Sequence, residues 1–532
     1  MKKRITKVVA MLMSVIMLLA TAGCGEKKQT EESKSTEEMS SVASVSSSEK
    51  EEPSVEELEP VELHWVIGGC GGFEDSEKVW AEFNKKLAEY LPNTTVRFTD
   101  ISQADYAEKW RLMSAAREEV DIAWFMWSLK LPDEVAKGAY LPLTDLIEEY
   151  GQDMKADLPD WIFDSTTING EIYAVPCYQQ MANPSAFTVP ASHVENGWLD
   201  LEAAEAVFRK ETPLTKDDFK IFEEYFEKVK ASGEEAYVSS TFLTDACKRI
   251  GYPFGYYETV VANAKLLRYG DEYKVFDYVT DYTEYKEYYD LVAEWYEKGY
   301  IRPDIMENPT EVTTEMLLTR TSNLRGIEET ETEKFGKPMK VFSIDDGAYI
   351  NNSTPPTCTV IPSTSKNAER AMMLINLMNS SKGAELMNLL TYGIEGEHYT
   401  KVSDTQIKWL GEEAVGSANN RYGYNNWALG NALVTFVSEN QEPDYNSYID
   451  GVNKAATMSR LSGFVVDQEP IKVEIANYNA VYKEYSYLDA GTTPNYEELL
   501  LERDAKMKEA GSDKIIAEVQ RQLDEWVAAN NK

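Results

Sequence analysis

An α/β protein of at least two lobes is what this sequence predicts, on three observations. Between residues 63 and 125 strand-like and helix-like stretches alternate, and strand–helix–strand–helix–strand is the pattern of a parallel sheet with crossover helices. The chain has 532 residues, beyond the roughly 250–300 at which a single hydrophobic core stops growing. It is 43% hydrophobic and 11% aromatic, enough to fill globular cores.

Lys2, Lys3, Arg4 and Lys7 precede an apolar run from Val8 to Ala22 that only Ser14 and Thr21 interrupt. The run is about 15 residues long, in the signal-peptide range and short of the roughly 20 that a membrane-spanning helix needs. Residues 1–23 are therefore expected to be a signal peptide. Thr21-Ala22-Gly23-Cys24 resembles a bacterial lipobox, with Thr21 where Leu is usual, and the resemblance makes Cys24 a lipidated N-terminus. An ordinary signal peptide cut at Ala-Gly, with Cys24 a bystander, is the competing reading. Gly25 to Pro60 is Ser/Glu/Lys-rich and nearly devoid of aromatics. It cannot bury enough apolar surface to fold, so residues 24–60 are expected to be a disordered tether. A flexible coil of that length spans roughly 30–36 Å.

The folded body is expected to begin near Val61. Leu63-His64-Trp65-Val66-Ile67 reads as a buried strand running into Gly68-Gly69-Cys70-Gly71-Gly72. That cluster is not a dinucleotide fingerprint, since Glu74 stands where the third Gly is needed. It does let backbone approach a ligand closely at a strand's C-terminal end. Val79, Trp80, Phe83, Leu87 and Leu91 trace one helical face that Pro92 stops. Thr94 to Phe98 reads as a strand, Tyr106, Trp110 and Met113 mark a helix, and Asp121 to Phe125 is a further strand. Phe219–Val229 and Tyr285–Tyr296 are expected helices with aromatic faces, the second stopped by Gly299. Lys340–Ile344 is a short strand, and Ala368–Met378 and Ala384–Leu390 are helices. Ser512 reads as the N-cap of a last helix whose apolar face is Ile515, Ile516, Val519, Leu523 and Trp526.

The formal net charge is −38, and no basic patch interrupts it, so nucleic acid is excluded as a partner. No second apolar run reaches membrane length, so only a lipid could hold the body to a bilayer. Cys70, Cys177, Cys247 and Cys358 form no CxxC and no Cys/His metal spacing. Two disulfides and free buried thiols are both open, and no metal or cofactor is expected. There is no HExxH, GxSxG or P-loop, and His64, His193 and His398 are isolated. His64, inside a strand, is expected to be packed; the other two are expected to be exposed.

Several segments, in this order, resemble a known family. They are Val120-Asp121-Ile122-Ala123-Trp124 with Val135 to Leu143, then Asn169 to Pro176, then Glu297 to Asp304, then Ile361-Pro362-Ser363-Thr364-Ser365-Lys366-Asn367. The chain is similar to the extracellular solute-binding lipoproteins of carbohydrate-type ABC importers (family 1 solute-binding proteins). Leu389 to Tyr399, Leu461-Ser462-Gly463-Phe464 and the final helix with Arg521 narrow the likeness to a subgroup with an uncharacterised C-terminal region. Phe187-Thr188-Val189-Pro190 departs from the family pattern, which often has Tyr-Asn-Lys there.

The resemblance implies two α/β lobes of the periplasmic-binding-protein type, joined by hinge strands around a ligand cleft. The first lobe would span 61–182 plus 353–403, and the second 183–352 plus 404–532. It implies a monomer outside the cell, tethered by Cys24, that closes on a sugar or oligosaccharide and delivers it to a membrane permease. A secreted carbohydrate-acting enzyme, or a surface sensor or adhesin on the same fold, are the alternatives.

Sugars present C–H faces and hydroxyl edges, so their sites pair aromatic rings with carboxylates and amides. Trp124 and Trp127 stand at and just beyond the end of an expected central strand, where open α/β sheets bind ligands. Trp124 alternates with Ile122 and also fits an inward position. Tyr178 and Gln179 follow the Pro176 strand, where cleft lining and hinge packing are both open. Gly393 and Gly396 frame a turn presenting Tyr392 and Glu395, which also reads as a solvated acidic loop. Tyr424-Asn425-Asn426-Trp427 offers the Asn425 amide and the Trp427 ring, with surface packing the alternative.

Overall fold

The computed structural model describes residues 58–530, apart from 211, 251–256, 262–264, 269–272, 278–281, 308–314, 346–348, 351–356 and 412–414. The expected signal peptide, Cys24 and most of the tether lie outside the described residues.

The first lobe is built on strand β1 (Val61–Gly69), followed by helix α1 (Ser76–Tyr90), strand β2 (Thr94–Ser102), helix α2 (Gln103–Ala115) and strand β3 (Ile122–Phe125). β1 lies between β2 and β3 and runs parallel to both, with Leu63 opposite Val96 and Trp65 opposite Ile122. Its side chains alternate as a strand buried on two faces requires. Leu63, Trp65 and Ile67 join Phe83, Leu87 and Ile375 in one core, while Val66 joins Trp110, Ala123 and Phe125 in another.

The expected parallel sheet is in fact mixed. Its order continues from β3 to Cys358–Val360 and then Val175–Pro176, and Cys358–Val360 pairs antiparallel with both neighbours. The physical reason is the lobe crossing. Val175–Pro176 runs in the direction of β1 and β3 and leaves the sheet at the edge where they end. Cys358–Val360 returns through that same edge, so it must run the other way.

The second lobe centres on Ser185–Pro190, flanked antiparallel by Arg320–Ser322 and Met339–Ser343. Phe187, Phe222, Tyr225, Phe242, Trp295 and Phe342 fill its core. The helices Lys220–Ser232 and Tyr282–Glu297 contribute the aromatic faces their spacing predicts.

The second lobe is expected to resume at residue 404, and here the structure differs. Tyr422, Tyr424 and Leu429 are buried in the first-lobe core with Leu63 and Phe83, and Tyr424 N–H donates to the Thr391 carbonyl at 2.9 Å. Buried aromatics in a segment of low periodicity give no local cue to which core they join. The chain reaches the hinge again in the helix Tyr445–Ala455. Asn453 Oδ1 accepts from Met181 N–H and Ala182 N–H, both at 2.9 Å, and its Nδ2 donates to the Gln179 carbonyl at 2.7 Å. Thr457–Met458 then pairs parallel with Tyr349–Ile350. Among the described residues no helix is long and apolar enough to cross a membrane.

The C-terminal end of the fold is helical: Lys472–Tyr485, Tyr496–Glu509 and Ser512–Asn530. Ser512 is the first helical residue rather than the cap, and Ile515 N–H donates back to Gly511 O at 3.0 Å. This region is divided between two cores. Tyr485, Leu488 and Leu500 belong to the second-lobe core, while Tyr478, Met507, Ile515, Val519 and Leu523 form another with Val275.

His64 is packed, between the Glu119 carbonyl at 3.0 Å and Thr99 Oγ1 at 2.9 Å. His193 and His398 are not exposed as expected but buried. Each meets a carboxylate distant in sequence: Glu234 lies 2.9 Å from His193, which also meets the Tyr225 hydroxyl, and Asp75 lies 3.1 Å from His398. Burial lowers the pKa of His64, against the opposing backbone bond to Glu119, and Arg97 adds to the lowering while Asp121 and Glu118 oppose it. Burial likewise lowers His193 against Glu234, with Lys337 adding to the lowering.

In both cases the folded-state pKa lies below the unfolded value of about 6.5, so the unfolded chain takes the proton first. The stability these two residues contribute is full above pH 6.5 and is lost as pH falls through their folded values. We expect the unfolding temperature of a His193→Gln variant to depend less on pH than that of the wild type between about pH 6.5 and 5. Calorimetric scans across that window check this; parallel curves would refute it.

Candidate ligand-binding site

Both crossings between the sheet and the second lobe lie at the edge where β1 and β3 end, and three tryptophans gather there. Trp124 is the last residue but one of β3, Trp127 follows two residues after the strand, and Trp427 comes from the single turn Asn426–Ala428. The three ring centroids are each 6.2 Å from the other two. Trp124 is 1% exposed, whereas Trp127 is 57% exposed, so the cluster has a buried base and an open face.

Local sequence explains the seat of Trp124. A Cβ on Gly68 would sit 2.0 Å from Trp124 Cε3, so only glycine lets the indole lie against β1. The Tyr106 ring meets Trp124 edge-on at 4.8 Å, and the Tyr106 hydroxyl donates to the Trp124 carbonyl at 2.5 Å. Thr357 Oγ1, just before the returning strand, donates to the Trp427 carbonyl at 2.5 Å. The Trp124 indole N–H is buried without a hydrogen-bond partner, an unmet donor at the base of the cluster.

A second group occupies the other side of β1. Asp100, in β2, accepts from Gly72 N–H and from the Tyr424 hydroxyl, both at 2.7 Å. A Cβ on Gly69 would lie 2.4 Å from Tyr424 Cε1 and 2.6 Å from Asp100 Oδ1. Burial pushes the Asp100 carboxyl pKa up against these hydrogen bonds, and burial with the Asp100 charge raises the Tyr424 hydroxyl. The glycine cluster thus admits close approach, and what approaches Gly68 and Gly69 is the chain's own Trp124 and Tyr424. Asp100 and Tyr424 were not singled out from the sequence. Tyr424 sits in the same Tyr-Asn-Asn-Trp stretch as Asn425 and Trp427, but Asp100 carries no local signal.

The remaining candidates lie at the first crossing, beside Trp427, and in or next to the Gly393–Gly396 turn. Tyr178 is buried at the first crossing, its hydroxyl donating to Asp450 Oδ1 at 2.8 Å and its ring 6.4 Å from Trp161. Gln179 follows, half-buried, with its carbonyl held by Asn453. Asn425 is half-buried beside Trp427. Tyr392 is buried, donates to the Phe436 carbonyl at 2.7 Å, and packs with Tyr399 and Phe436 rather than with the tryptophans. Glu395 is exposed in a turn with Gly393 and Gly396 at φ +80° and +81°, and lies 3.9 Å from Lys401. Cys70, Cys177 and Cys247 carry free thiols. Among the described residues no group of three or more His, Cys, Asp or Glu side chains is placed to hold a metal ion.

Gly68→Ala is expected to destabilise the fold by about 1–3 kcal/mol, because the new methyl must displace the Trp124 indole. Gly451→Ala is the control of opposite sign. It lies in the helix Tyr445–Ala455 with open space around its Cβ, so alanine should be neutral or stabilise by up to about 1 kcal/mol. Urea midpoints of the two variants check the pair.

A family model described as a domain of unknown function (DUF3502) matches residues 460–528. The chain is similar to a carbohydrate ABC transporter substrate-binding protein of Streptococcus pneumoniae, with 23% identity over 479 residues, 85% of this chain and 89% of the relative. Among solved structures it is similar to the N-glycan transport solute binding protein NgtS of Streptococcus pneumoniae, with a TM-score of 0.70 at 20% identity, covering 89% of this chain and 100% of that one. The same protein in complex with Man5GlcNAc gives a TM-score of 0.56, also at 20% identity and the same coverage. These likenesses show that the chain has the two-lobed α/β fold of the solute-binding proteins.

Proposed function

We propose that this chain is the substrate-binding component of a carbohydrate ABC importer, capturing an oligosaccharide between its lobes and delivering it to a membrane permease. The observation that carries the reading is the open face of Trp127 and Trp427 at the edge where the chain crosses between lobes. Indole faces offer rigid apolar area that suits the C–H face of a pyranose. The Asn425 amide, half-buried beside Trp427, offers a polar group for hydroxyl edges. The similarity to a carbohydrate transporter component, and to a protein solved with Man5GlcNAc, supports saccharide as the ligand class. The proteins it resembles serve transport rather than catalysis.

Capture follows from the hinge. Among the described residues the hinge lies around Tyr178–Ala182 and Tyr445–Met458, where Asn453 binds the Met181 and Ala182 N–H groups and Thr457–Met458 pairs with Tyr349–Ile350. Rotation about these two stretches would bring the second lobe down on a sugar lying on the tryptophans, the closure mode of binding proteins built this way. Closing expels water and orders the ligand; reopening at the permease releases it. An importer component works outside the cytoplasmic membrane as a monomer. Lipidation of Cys24 would keep the captured sugar near its permease, and mass spectrometry of the mature N-terminus tests that directly.

The decisive experiment is a thermal-shift and calorimetric screen of the protein against mono- and oligosaccharides, polyols and peptides. A specific ligand at a hundred times its Kd should add about 2.7 kcal/mol of stability. Mannose- and N-acetylglucosamine-containing oligosaccharides are the first to try. Stabilisation by peptides alone would overturn the saccharide reading, and turnover of a bound sugar would overturn the transport reading.

A further inference from the structure

The C-terminal region matched to a domain of unknown function reaches the first lobe beside the tryptophan cluster. Lys130 Nζ donates to Gln468 Oε1 at 2.7 Å. Lys130 lies three residues after Trp127, in the loop between β3 and the helix Leu131–Ala136, so their Cα atoms are within about 11 Å. The same loop is held from its own lobe by Arg111, whose Nη2 donates to the Ser128 carbonyl at 3.3 Å, and by the Leu129 N–H to Met126 O bond at 2.9 Å. A second contact lies nearby in sequence, where Ser462 Oγ donates to Asp164 Oδ2 at 2.7 Å.

Gln468 presents its amide from a firm base. Gln522, on the last helix, accepts from Asp467 N–H at 2.8 Å and donates to the Asp467 carbonyl at 2.9 Å. Ile471 N–H donates to the Gln468 carbonyl at 3.1 Å, and Ile471 is fully buried with Leu461, Phe464 and Leu523. An amide fixed to one body thus ties down the loop of the other body that bears the exposed indole.

We infer that Gln468 is a positioning residue of the ligand site, acting through Lys130 on the Trp127 loop, so that the matched region takes part in ligand binding. This rests on the reading of Trp127 as part of a saccharide site. The tie holds the loop in one place before the ligand arrives, so less ordering remains to be done on binding. A carboxylate there would bind the ammonium more strongly.

The test uses Gln468→Ala, Lys130→Ala, the double variant and Gln468→Glu in the whole protein, with two readouts. The first is hydrogen exchange of residues 126–131 without ligand, which should quicken in Gln468→Ala while the unfolding temperature stays the same. The second is affinity for whichever saccharide stabilises the wild type. Each single alanine variant should weaken it about threefold to tenfold, as expected for one partly exposed hydrogen bond to a charged group. The double variant should be no weaker than either single, and Gln468→Glu should bind at least as tightly as wild type at low salt. Unchanged exchange in the loop, or additive losses in the double variant, would overturn the inference. Faster exchange in a protein that binds no saccharide at all would leave the tie standing and remove the carbohydrate reading instead.

Discussion

Asp489→Ala is expected to destabilise the protein by about 3–5 kcal/mol, enough to leave much of it unfolded at 37 °C. Asp489 is buried between two cations that are themselves almost fully buried. Lys248 Nζ lies 3.3 Å from one carboxylate oxygen and Arg503 Nη1 3.6 Å from the other. The Tyr289 hydroxyl donates to Oδ1 at 3.0 Å, and the Tyr288 hydroxyl donates to the Asp489 carbonyl at 2.5 Å. Arg503 in turn donates to Tyr289 and pairs with Asp504. Removing the central carboxylate leaves both cations desolvated with one negative neighbour fewer, which costs far more than an exposed pair would.

The sign of the pH dependence separates this account from simple loss of packing. Burial lowers the pKa of Lys248, and Asp489 opposes that lowering. Without Asp489 the folded-state pKa falls further below the unfolded value of about 10.4, so the unfolded chain binds the proton more tightly. The variant should therefore regain stability as pH rises from neutral toward 10. Denaturant unfolding at pH 7 and pH 9.5 measures both effects, and an equal loss at the two values would refute the electrostatic explanation.

This network also ties part of the C-terminal region to the second lobe. It joins residues 247–249 and the helix Tyr282–Glu297 of the second lobe to the helix Tyr496–Glu509. Tyr485 and Leu500 are buried in the second-lobe core, while Leu461, Ile515, Val519 and Leu523 of the same matched region fill the separate core with Val275.

Such long-range joints are what could not be read from the sequence. β1, α1, β2 and α2 were legible because their cues are local: Leu63, Trp65 and Ile67 alternate, and Val79, Phe83 and Leu87 recur at helical spacing. The antiparallel turn of the sheet was not, since Val175–Pro176 and Cys358–Val360 are two and three residues long and take their direction from the lobe crossing. Burial of His193 and His398 depends on Glu234 and on Asp75, which is 323 positions from His398. The same distinction runs through the candidate site. Trp124 and Trp127 were picked by the rule that ligands bind beyond strand ends. The contact of both with Trp427, and the separate packing of Tyr392 with Phe436, are set by residues hundreds or tens of positions away that pack on the first lobe.

Trp127→Ala should abolish most ligand binding while leaving the fold intact, and the two halves of that statement have different causes. Trp127 is 57% exposed, so truncating it costs far less than deleting a buried Trp, and the stability without ligand should fall by about 1 kcal/mol through its ring contacts with Trp124 and Trp427. The open indole also lies at the strand-end edge, next to Trp427. A ligand stacked on it would lose a contact of the class that dominates binding energetics, at least about 1.4–2.7 kcal/mol, or tenfold to a hundredfold in Kd. Trp124→Ala cannot make this separation, because deleting a fully buried Trp costs about 3–5 kcal/mol of folding free energy by itself. Trp127→Phe should recover part of the affinity, since a smaller ring keeps an apolar face, and Trp127→Leu should recover less. Titration calorimetry on the three variants gives the ranking. Equal affinity in Trp127→Ala and wild type would move the cleft away from the end of β3, and with it the role assigned here to Trp427.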